Sequence, residues 1–174
     1  MTPSIETLAA EVGAALLQQS LRLATAESCT GGWVAQALTA IAGSSAWFDR
    51  GFVTYSNAAK EDMLAVPGAT LRDYGAVSEE TAGEMAVGAL IHSHADVTLA
   101  ITGIAGPTGG SPGKPVGTVC FAWCRYGFPP RNVTEHFSGD RESVRRQAVA
   151  RALEGVLDLL QETGGGEPSA KSVP

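Results

Sequence analysis

Leu21-Arg22-Leu23-Ala24-Thr25-Ala26-Glu27-Ser28-Cys29-Thr30-Gly31-Gly32-Trp33-Val34 contains a complete change of periodicity. Leu21 to Ala26 is a short apolar run, Glu27 to Gly32 is polar and ends on two glycines, and Trp33, Val34, Ala37, Leu38 and Ile41 resume at helical spacing. The stretch reads as a strand, a tight turn and a helix. A serine thus stands where a strand hands over to a helix, with the following backbone N–H groups available to one spot.

The same alternation continues outward. Thr2 and Pro3 open an amphipathic helix carrying Ile5, Leu8, Ala9, Val12 and Leu16, with Thr2 as expected N-cap and Pro3 at the first helical position. Trp47 to Tyr55 has the aromatic and β-branched content of a strand, Ser56 or Asn57 caps a helix through about Leu64, and Val66-Pro67-Gly68 ends it. Ser78 starts a helix with Ala82, Met85, Ala86, Ala89 and Leu90 on one face, and Val97 to Ile101 is a buried strand. After the glycine-rich stretch Thr102 to Gly117, Thr118–Cys124 and Asn132–Phe137 form a β-β pair, and Arg141 to Leu160 is a long helix. Alternating strands and helices with a late β-β pair predict an α/β protein, a single three-layer α/β/α domain on a mixed sheet. Residues 1–162 are expected to form that domain and 163–174 a disordered tail.

Composition narrows the function. The 174 residues are 44% apolar and 17% charged, enough for one core and unlike a disordered or membrane chain. Twelve Lys and Arg against eighteen Asp and Glu give a net charge of −6, with no basic run to follow a phosphate backbone, so neither nucleic acid nor an anionic membrane is an expected partner. Cys29, Cys120 and Cys124 are odd in number and lack metal-ligand spacing, and the amino terminus has no secretory pattern. Free thiols in a cytoplasmic setting are the expectation.

Several residues carry chemistry, each with a plainer alternative. Ser28 can be a nucleophile with Thr30, Gly31 and Gly32 supplying oxyanion donors, or the turn can be a helix cap with glycines for close packing. Lys60 follows Tyr55-Ser56-Asn57-Ala58-Ala59 in the first turn of a helix, where the macrodipole disfavours a cation. To act as a general base its pKa must move from roughly 10.4 toward about 7 to 8; otherwise it is a surface lysine screened by Glu61 and Asp62. His92 and His94 lie far in sequence from either glycine turn, so a Ser-Lys pair is better motivated than Ser-His, and a metal site is not expected. Ser111-Pro112-Gly113-Lys114 matches S-x-x-K by letters only, because Pro and Gly prevent the helix that motif needs. The loop from Gly103 to Gly117 offers backbone amides and Lys114 to an anion, or is a surface crossover. Arg141 and Arg145 suit bidentate recognition of phosphate or carboxylate, or pair with surface acids while Asp140 caps their helix.

Thr25-Ala26-Glu27-Ser28-Cys29-Thr30-Gly31-Gly32, Gly51 to Lys60, Gly75-Ala76-Val77-Ser78-Glu79, Thr102-Gly103-Ile104-Ala105-Gly106-Pro107, Lys114-Pro115-Val116-Gly117-Thr118 and Phe137-Ser138-Gly139-Asp140-Arg141 occur in that order. Together they resemble the CinA carboxy-terminal domain family over about residues 5 to 160. The resemblance implies a mostly parallel sheet with one antiparallel strand, a homo-oligomer, and no metal or organic cofactor. It implies hydrolysis of the carboxamide of nicotinamide mononucleotide to nicotinate mononucleotide and ammonia, in pyridine-nucleotide recycling. Ser28 is then the nucleophile, Lys60 its base and Tyr55 an assisting hydroxyl. Thr102, Gly103, Gly106, Lys114 and Arg141, with Thr30, Gly31 and Gly32, are the expected substrate-binding residues. Two alternatives stay open: a non-catalytic nucleotide-binding module, and Cys29 as nucleophile in place of Ser28. Long members of the family carry a further amino-terminal domain with pyrophosphatase-type activity, which is not expected here.

Overall fold

A computed structural model describes residues 3–164. Thr2 and the tail from residue 165 lie outside them. Five strands, β1 (Leu23–Glu27), β2 (Phe48–Val53), β3 (Val97–Gly103), β4 (Thr118–Arg125) and β5 (Arg131–His136), form one sheet in the order β2-β1-β3-β4-β5. β1 pairs parallel with both β2 and β3, whereas β4 is antiparallel to β3 and to β5. β4 alone therefore runs against the other four, so the sheet is mixed and mostly parallel.

Each face carries three helices. On one side α1 (Ile5–Gln18), α2 (Trp33–Thr39) and α6 (Arg141–Thr163) cover the large strand residues Leu23, Leu99, Ile101, Phe121 and Trp123. On the other, α5 (Glu79–Ile91) packs Ala82, Met85, Ala86 and Ala89 onto Ala26, Ala100 and Ala122, beside α3 (Asn57–Leu64) and α4 (Gly68–Tyr74). Small residues on both surfaces let α5 sit close to the sheet. They also let α3 come close to α5, because a Cβ on Gly88 would overlap the Leu64 carbonyl oxygen. Backbone cannot yield as a flexible side chain does, so Gly88→Ala is expected to cost about 1–3 kcal/mol of stability. A denaturation midpoint equal to wild type would show that α3 can shift freely.

Three local expectations are corrected. The N-cap of α1 is Ser4, whose hydroxyl accepts from the Thr7 N–H, so the helix starts two residues after Pro3. Helix α4 was hidden in the sequence because it has no capping side chain and buries no residue. Helix α6 continues past Leu160 to Thr163, which is buried, and Arg125 donates to both the hydroxyl and the carbonyl of Thr163.

The chain leaves β1 through α2 on one face and reaches β3 through α3, α4 and α5 on the other. The strand order thus reverses between β1 and β3. In sheets of this kind ligands bind at the carboxyl ends of the strands at that reversal. Ser28 follows β1, Tyr55 follows β2 and Gly103 ends β3, so all three lie at that end.

Candidate active site

Glu27 builds the serine turn. Its carboxylate is fully buried; Oε1 accepts from the Thr30 hydroxyl at 2.6 Å and the Val34 N–H at 2.9 Å, and Oε2 from the Ala35 N–H at 3.1 Å. Val34 and Ala35 are in the first turn of α2, whose N-cap, Gly32, has no side chain to supply. A strand-end carboxylate therefore caps the helix, and the partial positive charge of the helix N-terminus favours it there. Gly31 and Gly32 have φ of +60° and +103°, the left-handed region that side chains disfavour, which explains the paired glycines. From the opposite side Arg145 donates to the Cys29 carbonyl through Nε and to the Thr30 carbonyl through Nη2, both at 3.1 Å.

This turn presents Ser28 to Lys60. Lys60 is 1% exposed, an uncommon fate for a lysine. Its Nζ lies 2.9 Å from Ser28 Oγ, 2.9 Å from the Thr54 carbonyl and 3.1 Å from the Tyr55 carbonyl. Burial lowers its pKa from the ordinary 10.5, because the charged form loses hydration. The ammonium form can donate to all three oxygens. The neutral amine can donate two N–H to the carbonyls, and its lone pair then faces the Ser28 hydroxyl. That geometry suits proton removal from Ser28.

Cys29 is buried beside it, and burial pushes its thiol up to about 12. A thiol with that value is uncharged at neutral pH and a poor nucleophile.

A cavity of about 320 Å³ opens over Ser28 and Lys60, at the small end of the range for small-molecule sites. Tyr55, Asn57, Thr102, Gly103, Gly106 and Arg141 line it as well. Tyr55 contributes its main-chain carbonyl to Lys60, while its exposed hydroxyl accepts from Arg141 Nη2 at 3.2 Å at the rim. Arg141 also donates to the Gly106 carbonyl at 2.8 Å. The Thr102 hydroxyl donates to the Ala76 carbonyl, and Gly103 lies close against β4, where a Cβ would come within 2.7 Å of Val119.

Other expected residues fall outside the cavity. Thr30, Gly31 and Gly32 do not line it: the Thr30 hydroxyl is committed to Glu27, and the Gly31 N–H to the Ser28 carbonyl. The Thr30 N–H has no backbone partner among the described residues, and the Cys29 N–H contacts only its own thiol. Lys114 donates to the Tyr74 carbonyl at 2.8 Å and lines a separate cleft with Asp73, Glu79 and His136. Arg145, read as a candidate for anion recognition, spends its fork on the two turn carbonyls. Asn57 lines the cavity without having stood out in sequence, because its position just after Ser56 reads equally as a cap. Among the described residues no group of three or more His, Cys, Asp and Glu could hold a metal ion.

Residues 5–160 match the model of the CinA C-terminal domain. The chain belongs to the CinA C-terminal domain family. Within it, nicotinamide-nucleotide amidohydrolase PncC of Escherichia coli K12 is 56% identical over 157 residues, covering 90% of this chain and 95% of that protein. The Pseudomonas putida protein of the same name is 50% identical, covering 91% and 98%. Among solved structures, competence/damage inducible protein CihA from Agrobacterium tumefaciens superposes with a TM-score of 0.88 at 47% identity, over 91% of this chain and 98% of that one. This CinA-type fold agrees with the α/β architecture expected from the sequence.

Proposed function

We propose that the chain is a nicotinamide-nucleotide amidohydrolase, a carbon-nitrogen hydrolase that converts nicotinamide mononucleotide and water to nicotinate mononucleotide and ammonia. The names of its close full-length relatives support the substrate. The observation that carries the chemistry is the buried Lys60 Nζ 2.9 Å from Ser28 Oγ.

Neutral Lys60 takes the Ser28 proton as Oγ bonds to the carboxamide carbon, and the carbonyl oxygen becomes an oxyanion. The Gly31 N–H is already used and Thr30 lies outside the cavity lining, so the donor assigned to this oxyanion in the turn is the Cys29 N–H. Lys60 returns the proton to the leaving nitrogen, the C–N bond breaks and ammonia departs. Water then gives a proton to Lys60 and its oxygen to the acyl carbon, and Lys60 passes that proton to Ser28 Oγ as the ester bond breaks. The nucleotide phosphate is assigned to Arg141, whose guanidinium retains N–H donors beyond its bonds to Gly106 and Tyr55, and to the amides around Gly106. Tyr55 on this reading orients Arg141 at the rim, and Lys114 takes no part in binding the phosphate.

The same reading carries a single domain, a homo-oligomer and a cytoplasmic location. No described helix is long and apolar enough to cross a membrane.

The test is release of ammonia and nicotinate mononucleotide by metal-free wild type beside Cys29→Ala. Both are expected to turn over, with kcat within about 3-fold of each other, because a neutral thiol does not attack. Loss of turnover only in Cys29→Ala would transfer the nucleophile to sulfur. Nucleotide binding without release by the folded wild type would leave a binding module.

A further inference from the structure

We infer that Arg145 is a positioning residue for this reaction, fixing the nucleophile turn so that the Cys29 N–H, beside Ser28 in the cavity lining, is held for the oxyanion. The inference rests on the amidase reading above and adds a role for a residue outside the cavity lining.

A trans peptide is planar, so fixing a C=O fixes the N–H on the other side of the same bond, pointing the opposite way. Arg145 Nε holds the Cys29 C=O at 3.1 Å and so sets the Thr30 N–H directly. Its Nη2 holds the Thr30 C=O at 3.1 Å and so sets the Gly31 N–H. That N–H donates to the Ser28 C=O at 3.1 Å, which in turn sets the Cys29 N–H. One guanidinium thereby fixes the peptide planes of the turn, and through the Gly31 to Ser28 hydrogen bond it sets the Cys29 N–H.

The fork is itself fixed. Arg145 rises from α6 and lies over the Trp33 ring at 5.5 Å, and neighbouring Arg146 lies over the same ring at 5.1 Å. A planar fork with two donors suits two adjacent carbonyls, and a lysine can serve only one well. Arg146 makes no bond to the turn and pairs instead with Glu142 at the surface, which makes it the natural control.

The experiment compares wild type, Arg145→Met, Arg145→Lys and Arg146→Met by steady-state kinetics and thermal melting. It adds the affinity of each for nicotinate mononucleotide and for pyridine-3-boronic acid, whose boron takes up Ser28 Oγ as a tetrahedral adduct. Arg145→Met is expected to lower kcat about 10- to 100-fold with KM within about 2-fold of wild type, since losing an oxyanion donor outright costs about 100- to 1000-fold. Boronate affinity should fall in step while product affinity holds, because only the tetrahedral species uses the oriented donor. Arg145→Lys should lie between, and Arg146→Met should match wild type.

If Arg145→Met does not fold, Arg145→Lys decides: a lowered kcat with unchanged KM supports the role, and a wild-type kcat overturns it. Equal loss of boronate and product affinity, or the same loss in Arg146→Met, also overturns it. Wild-type protein that releases no ammonia removes the amidase reading and this inference together. Wild-type turnover with an unaltered Arg145→Met removes the inference alone.

Discussion

Ser28→Ala and Lys60→Met are each expected to lower amide turnover by at least about 1000-fold, and Lys60→Met to melt at a higher temperature than wild type. The first effect follows from the pair acting as a unit. Without Oγ there is no acyl-enzyme, and without Nζ the hydroxyl has no base within hydrogen-bond reach, so either loss removes most of the chemical acceleration. The second follows from the sign of the Lys60 shift. Its folded pKa is lowered from the ordinary 10.5 by burial, so below 10.5 the unfolded chain binds a proton that the folded chain resists. Stability therefore falls as pH drops from 10.5 to the folded pKa and stays reduced below it. Methionine has no proton to bind and fills a similar volume, so the stabilisation over wild type should appear at neutral pH and vanish above 10.5. Melting curves at several pH values check this, and a Lys60→Met protein less stable than wild type at pH 7 would reverse the assignment. In wild type, kcat/KM should rise with pH through the lowered Lys60 pKa, because only the neutral amine accepts the Ser28 proton.

The sequence made β1, the serine turn and α2 readable because the period changes within a dozen residues, from a continuous apolar run to helical spacing. It placed Lys60 in the first turn of α3 but not inside the protein. Glu61 and Asp62 follow it directly and suggest solvent, and its burial arises only when the end of β2 brings the Thr54 and Tyr55 carbonyls onto Nζ. Lys114 and Arg145 carried the opposite difficulty. Each is a cation near glycine-rich or helix-start sequence, which suggests an anion. Each instead finds backbone carbonyls contributed by residues 40 and more than 100 positions away. Local composition does not encode such partners. The sequence offered the N–H groups of Thr30 to Gly32 as oxyanion donors; that the Gly31 N–H is already bonded to the Ser28 carbonyl is a property of the folded turn.

Glu27→Ala is expected to cost about 3–5 kcal/mol of stability, the largest loss foreseen for a change at one polar side chain in this site. Three donors, the buried Thr30 hydroxyl and Val34 N–H and the part-buried Ala35 N–H, share its two oxygens. Each donor left unpaired away from water costs about 1–3 kcal/mol, and relaxation around the smaller side chain recovers part of the sum. Glu27→Gln separates shape from charge. One amide oxygen can still serve Thr30 and Val34, but the amide NH2 then meets the Ala35 N–H, donor against donor, at a helix end that favours negative charge. A loss of about 1–3 kcal/mol is expected for Gln, with the protein still folded at room temperature. Urea denaturation of both variants checks the order, and a Glu27→Ala protein within about 1 kcal/mol of wild type would show that water replaces the carboxylate. Because the same carboxylate fixes Thr30, whose carbonyl Arg145 holds, the folded Gln variant should lose kcat more than KM. Glu27 and Arg145 then act on the one turn from opposite sides, the acid through α2 and the base through α6.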